Sequence, residues 1–358
     1  MRLISTGCFA LFAACACAPL LAQDASHPPH RFFALGDFQL ESGETLSDAR
    51  VLYVTHGTLN ASRSNAVLIP SWYGGNHHGY DFLIGPDLAL DPGEYFVIVT
   101  EMFGSGGSSS PSNMPTGASH DDFPLVTIRD NVRATHRLVT EQFGLDHLRA
   151  IIGFSMGAQQ AFQWAVSHPD FMDLIVPLAG TAKTYPHGVV RLESALTLIT
   201  RDPSMLAGHD TLTTAGTRAW TLHWQAWTRS TEWWRLNHEQ ASVLRDALDP
   251  SFASTRSPNF RPHDQVIQGR AWQHHNVGDT PGFGGDVERA LASIRARVLY
   301  MPGATDMYFP ITDAEYERQF IPNLDFRPIP SIWGHTAGAG PTEADRTFII
   351  EAIRNALQ

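Results

Sequence analysis

The sequence predicts an α/β fold: a doubly wound, mostly parallel sheet with an inserted helical lid. Three observations predict it. Apolar segments of strand length alternate with helical stretches along most of the chain, the pattern of a parallel sheet buried between two helical layers. At residues 149–169, "RAIIGFSMGAQQAFQWAVSHP", a short buried run meets a serine between two glycines and continues directly as an amphipathic helix. Between about residues 185 and 286 the alternation stops. A helical stretch rich in tryptophan (Trp220, Trp224, Trp227, Trp233, Trp234) takes over before strands resume at "ARVLYMPG".

The N-terminal 22 residues read as a cleaved secretory signal. Arg2 supplies the positive charge, the following residues are apolar and small, and Leu20-Leu21-Ala22 before Gln23 makes a cleavage site. Pro19 and the polar run behind it argue against a membrane span. A lipoprotein anchor at Cys15 or Cys17 is the weaker alternative, because neither follows a leucine-led lipobox. Cys8, Cys15 and Cys17 are the only cysteines, so the mature chain would carry no disulfide, thiolate metal site or cysteine nucleophile. The expected location is secreted or periplasmic, with no membrane attachment after cleavage. A chain of 358 residues can bury a sizeable core, and a net charge of −11 excludes a nucleic-acid partner. Lys183 is the one lysine among 25 basic residues.

The strand segments follow in order: "ARVLYVTHG", "NAVLIPSW", "EYFVIVTEMF", "RAIIGF", "DLIVPLAG", "ARVLYMPG" and "LDFRPIP". The fourth is apolar on both faces, as a parallel strand buried on both sides must be. "TIRDNVRATHRLVTEQFG" reads as a helix between the third and fourth. The helix after Ser155 carries Ala161, Phe162, Ala165 and Val166 on one apolar stripe and is stopped by Pro169. In the helical insertion, most tryptophans read as packing residues, with one or two lining an apolar pocket.

Gly153-Phe154-Ser155-Met156-Gly157 is a G-x-S-x-G nucleophile elbow. This sharp strand-to-helix turn lifts the serine hydroxyl clear of the sheet, with small residues where a Cβ would clash. A serine hydroxyl needs a base, and the base needs an orienting carboxylate. In the α/β-hydrolase fold these follow in the order Ser, Asp or Glu, His. "VLYMPGATDMYFP" places Asp306 behind a strand and a glycine turn, and "IPSIWGHTAGAG" places His335 in a glycine-rich loop. Asp306 is therefore the expected orienter and His335 the expected base. Asp313, Asp325 and Asp345 are competitors, but none follows a strand and turn so directly. The backbone N–H of Met156, at the start of the elbow helix, is one expected oxyanion donor. For the second, two loops compete: His56-Gly57, favoured by the local His-Gly pattern, and Trp72-Tyr73-Gly74, favoured by the more buried strand before it. His77-His78 and His274-His275 look like fragments of metal sites. Neither has a third ligand at a recognisable spacing, so no metal and no cofactor is assigned. "GSGGSSS" lacks the G-K-[ST] ending of a phosphate cradle.

With these residues in place, the chain resembles the homoserine O-acetyltransferase family of α/β hydrolases, from about Phe38 to Ala352. "THGTLNASRSNAVLIPSWYGG" is similar to that family's Tyr-Gly-Thr-Leu-Asn segment and oxyanion strand. "FLIGPDLALDPGEYFVIVTEMFGSGGSSSPSN", "IRDNVRATHRL" and "GFSMGAQQAFQWAV" match further blocks of it. The resemblance implies Ser155, Asp306 and His335 as nucleophile, orienter and base, and Tyr73 as the second oxyanion donor. The change of rhythm along the chain gives an expected α/β-hydrolase core over residues 31–184 and 287–358, with the lid over 185–286. The transferases carry His-Asp at the catalytic histidine, where this chain has His335-Thr336. They carry His-Ala-Leu-Thr in the oxyanion loop, where this chain has Ser71-Trp72-Tyr73-Gly74. Arg218 falls in the region that supplies the transferases' substrate-carboxylate arginine. Trp72, Arg218 and Thr336 are accordingly expected to contact substrate. These departures point away from homoserine. The expectation is a secreted serine hydrolase that cleaves a small ester or amide through an acyl-enzyme, with acyl transfer from acyl-CoA to an alcohol as the alternative. Nothing in the sequence decides between a monomer and a homodimer.

Overall fold

The computed structural model describes residues 27–237 and 260–358. The expected signal segment, with its three cysteines, lies outside them, as does part of the helical insertion. Eight strands form one sheet: β1 (Arg31–Gln39), β2 (Thr45–His56), β3 (Ala66–Pro70), β4 (Phe96–Thr100), β5 (Ala150–Phe154), β6 (Leu174–Leu178), β7 (Arg297–Tyr300) and β8 (Leu324–Phe326). Their spatial order is β1-β2-β4-β3-β5-β6-β7-β8. β2 runs antiparallel to both of its neighbours, and every other pairing is parallel.

Seven of these strands correspond to the segments read from the sequence. β1 was not among them, for a physical reason. Gly36 takes a φ of +66°, and the register with β2 slips on either side of it. The buried residues Phe33, Leu35 and Phe38 are therefore spaced two and then three apart, which breaks the alternation that marks a strand.

The central strands are buried throughout. β3 and β5 have no exposed residue. In β3, Ala66 and Leu68 enter the apolar cluster on one face of the sheet, while Val67 and Ile69 enter the cluster on the other. Both faces are covered, so these segments read as continuous apolar runs.

The helices are α1 (Ile128–Arg137), α2 (Met156–Ser167), α3 (Pro186–Thr200), α4 (Pro203–Leu206), α5 (Thr214–Thr228), α6 (Thr231–Asn237), α7 (Pro262–Gln273), α8 (Val287–Ala292), α9 (Ile311–Glu317) and α10 (Glu343–Leu357). α3 to α7 fall between β6 and β7, where the sequence had lost its alternation. They pack over the C-terminal ends of the parallel strands. Gly334, in the loop of His335, has no room for a Cβ, because the backbone of Arg229 and Ser230 lies 2.8 Å from where it would stand. Ser230 Oγ also donates to the Ile332 carbonyl at 2.6 Å. Among the described residues, no helix is long and apolar enough to cross a membrane.

Candidate active site

β5 ends at Phe154, and α2 begins at Met156. The single residue between them, Ser155, takes φ 56° and ψ −120°. A side chain in this region costs on the order of 1–3 kcal/mol, and such strain collects at functional sites. The surroundings hold it there. A Cβ on Gly153 would stand 2.0 Å from the Gly157 carbonyl oxygen, and one on Gly157 would stand 2.6 Å from the Pro70 carbonyl oxygen. Both glycines of the motif are thus required by close backbone approach.

A residue that the sequence reading missed completes the elbow. The Tyr80 hydroxyl donates to the Pro70 carbonyl at 2.8 Å and accepts the Phe154 N–H at 2.9 Å. β3 and β5 pair only at Val67–Ala150 and Leu68–Ile151. The phenol therefore bridges the strands where they splay to admit the turn. Burial pushes it above its ordinary value, so it stays a protonated donor. Tyr80→Phe should cost about 1–3 kcal/mol, because it orphans a buried N–H and a buried carbonyl. Urea unfolding checks this; an unchanged midpoint would remove the bridge from the account.

The structure brings Ser155, His335 and Asp306 together. His335 Nε2 lies 2.9 Å from Ser155 Oγ, and its Nδ1 lies 2.8 Å from Asp306 Oδ2. A carboxylate only accepts, so Nδ1 carries the proton and Nε2 offers its lone pair to the hydroxyl. The other oxygen of Asp306 accepts the N–H groups of Tyr308 and Phe309 at 2.7 and 3.2 Å. Thr305 ties the acid loop to the histidine loop, donating to the Ser331 carbonyl at 2.7 Å and accepting the Gly334 N–H at 3.2 Å. The imidazole is held between rings: Phe154 at 4.9 Å and Tyr308 at 4.4 Å between centroids, both stacked. All three polar side chains are buried.

Strand direction separates the two candidate oxyanion loops. Pro70 of β3 stands opposite Thr100 of β4, whereas His56 of the antiparallel β2 stands opposite Val97. His56-Gly57 thus lies at the end of the sheet away from Ser155, where a Gly57 Cβ would stand 2.2 Å from the Tyr95 carbonyl oxygen. The Trp72-Tyr73 loop lies beside the elbow, and Gln160 of α2 donates to the Ser71 carbonyl at 2.9 Å.

The expected substrate contacts divide. The Tyr73 ring faces Trp224 and Trp272, each at 5.5 Å, and Met156 shares a cluster with Trp272 and Tyr308. Trp72 is instead a packing residue. Its indole meets Tyr80 and Phe154 edge-on and fills the space above Gly75 and Gly79. Thr336 spends its hydroxyl hydrogen on the Trp333 carbonyl at 2.8 Å. Arg218 sits on α5 about 160° around the helix from Trp220, whereas Trp224 lies within about 40° of it, so Arg218 is turned from the aromatic face.

A charged residue that packs against these rings is Arg191 of α3. Its guanidinium carbon lies 4.3 Å from the Tyr308 ring centroid, 4.8 Å from that of Trp272 and 5.7 Å from that of Trp224. The side chain is buried, Nη2 reaches the Tyr308 carbonyl only at 3.4 Å, and among the described residues Nε and Nη1 have no protein acceptor. Burial pushes its pKa down to about 10, so it remains a cation at neutral pH. The sequence did carry a signal for it. The buried positions of α3 are Gly188, Arg191, Leu192, Ala195, Leu196 and Ile199, so Arg191 stands on the apolar stripe.

Comparison with known proteins agrees with this architecture. Residues 65–337 match the alpha/beta hydrolase fold family. The chain is 35% identical over 320 residues to an ethyl acetate hydrolase of Pseudomonas veronii, covering 87% of this chain and 90% of that protein. It is 30% identical over 354 residues to a homoserine O-acetyltransferase of Symbiobacterium thermophilum, covering 89% and 91%. The structure of an acetylester hydrolase from Corynebacterium glutamicum superposes with a TM-score of 0.83 at 34% identity, covering 92% of this chain and 96% of that one. The resemblance read from the sequence holds: the chain belongs to the α/β-hydrolase fold family, in the branch that holds both esterases and homoserine O-acetyltransferases.

Proposed function

We propose that this serine hydrolase of the α/β-hydrolase fold cleaves acetyl and other short-chain esters of small alcohols, and that it does so outside the cytoplasm. The observation that carries the reading is the pair of hydrogen bonds made by His335, one to Ser155 and one to Asp306. Ser155 Oγ attacks the ester carbonyl carbon while His335 Nε2 takes its proton. Asp306 steadies the imidazolium that results. The N–H groups of Met156 and Tyr73 receive the oxyanion. Collapse of the tetrahedral intermediate breaks the bond to the leaving alkoxide, which takes the proton from Nε2. Water repeats the sequence on the acyl-enzyme and returns the serine.

The aromatic walls at Tyr73, Trp224, Trp272 and Tyr308 favour a small acyl group. The names of the hydrolase relatives, an ethyl acetate hydrolase and an acetylester hydrolase, support the same choice. Against homoserine stands Thr336. An aspartate there could pair with the substrate ammonium at roughly 1.5–3 kcal/mol, whereas a neutral hydroxyl contributes about 1 kcal/mol. Acyl transfer has one observation in its favour: the buried Arg191 cation could receive an acceptor's carboxylate.

A panel of p-nitrophenyl esters, alongside acetyl-CoA with and without homoserine, tests the choice. Hydrolysis of the acetyl or butyryl ester is expected to outrun homoserine acetylation. The reverse order would install the transferase reading. Export rests on Arg2 and the apolar run behind it. Intact-mass measurement of the mature protein should find a chain beginning near Gln23, and retention of residues 1–22, or a lipid on Cys15 or Cys17, would contradict it.

A further inference from the structure

His77 and His78 had no third ligand in the sequence, and the fold supplies candidates. His77 opens the turn that follows the Trp72-Tyr73 loop and is buried. Its Nδ1 lies 2.7 Å from Oε1 of Glu101, which is also buried. Packing fixes that carboxylate, since a Cβ on Gly107 would stand 2.4 Å from its other oxygen. A carboxylate partner places the imidazole proton on Nδ1 and leaves the Nε2 lone pair facing outward. What Nε2 faces is another imidazole: His30 Nε2, at 3.1 Å. His27 comes from the same short segment before β1. One ring nitrogen from each of His27, His30 and His77 falls within 4.8 Å of the others.

Three imidazoles converging on one point need a reason. Their own hydrogen bonding accounts for one contact, His30 to His77. A divalent cation accounts for all three. Tetrahedral zinc with bonds of about 2.0–2.1 Å sets ligand nitrogens about 3.3 Å apart, within the range of separations present here. A histidine whose other nitrogen is held by a carboxylate is the usual outer arrangement of such a site.

We infer that His27, His30 and His77 form a site for a divalent transition metal of the zinc type, with Glu101 orienting His77 and a fourth position left to solvent. The site plays no part in the ester chemistry. It would staple the segment before β1 to the turn His77–Leu83, whose Gly79 backbone lies against the Trp72 indole of the oxyanion loop. Metal would thereby stiffen that loop from behind.

Tag-free protein spanning residues 23–358, stripped with a chelator, is titrated with Zn²⁺ by calorimetry and with Co²⁺ by visible absorption. The expected result is one equivalent bound, with Co²⁺ bands of a four-coordinate site and a raised melting temperature. His30→Ala, at a half-buried position, should lose this binding while keeping its circular dichroism and ester turnover without metal. Glu101→Gln should weaken affinity about 10- to 100-fold. Absence of stoichiometric binding by the wild-type protein would overturn the inference, as would affinity unchanged in His30→Ala.

Discussion

Ser155→Ala is expected to remove covalent labelling by a fluorophosphonate and to lower ester turnover roughly 10³-fold or more, while leaving the fold in place. In the proposed mechanism the loss is large because the hydroxyl that His335 addresses is the reacting atom, and the residues of such a set act as a unit. The fold should survive because an alanine meets the same φ of 56° that the serine already occupies. The lost hydrogen bond to His335 Nε2 costs about 1–3 kcal/mol at most. Mass spectrometry of the labelled wild-type protein should place the adduct on the peptide carrying Ser155. An adduct on another serine, or labelling that persists in the variant, would remove Ser155 from its role.

Asp306→Asn should lower kcat on the order of 10⁴-fold with little change in KM. The geometry says why the amide must turn the harmful way. The Tyr308 and Phe309 N–H groups both point at Oδ1, so the asparagine keeps its carbonyl oxygen there and turns its NH₂ toward His335. Two donors cannot face each other, so Nδ1 loses its proton to become an acceptor and Nε2 gains one. The imidazole then presents N–H to the Ser155 hydroxyl and cannot take its proton. Circular dichroism and the unfolding midpoint should be close to wild type. A variant retaining a tenth or more of wild-type kcat would show that Asp306 does not set the tautomer.

The elements of this site were legible to different degrees. Ser155 stands out because the whole signal is local. A buried run, two glycines and a helical stretch are contiguous, and the clashes that demand the glycines come from neighbours in the chain or from the adjacent strand. Asp306 and His335 were legible as strand-end residues beside glycines, although 29 positions separate them in the chain. The Tyr80 bridge was not legible, because its partners Pro70 and Phe154 are 10 and 74 residues away, and a tyrosine in an irregular turn gives no pattern. Nor was the role of Trp72, whose indole lies against Gly75 and Gly79 in an irregular turn that has no periodic pattern.

By itself, the sequence determined the alternating α/β order, the elbow at Ser155, the residue types that surround it and the break in rhythm where the helical insertion enters. These rest on periodicity and turn chemistry, which act over a few residues. Tertiary structure decided the rest. The direction of β2 sent His56-Gly57 to the far end of the sheet and left the Trp72-Tyr73 loop beside Ser155. The rotation of α3 and α5 put Arg191 rather than Arg218 against the aromatic chamber. The pairing of β1 with β2 carried His27 and His30 to His77. Strand polarity, helix rotation and the meeting of distant segments are settled by which surfaces can be buried together, and short-range patterns do not encode that.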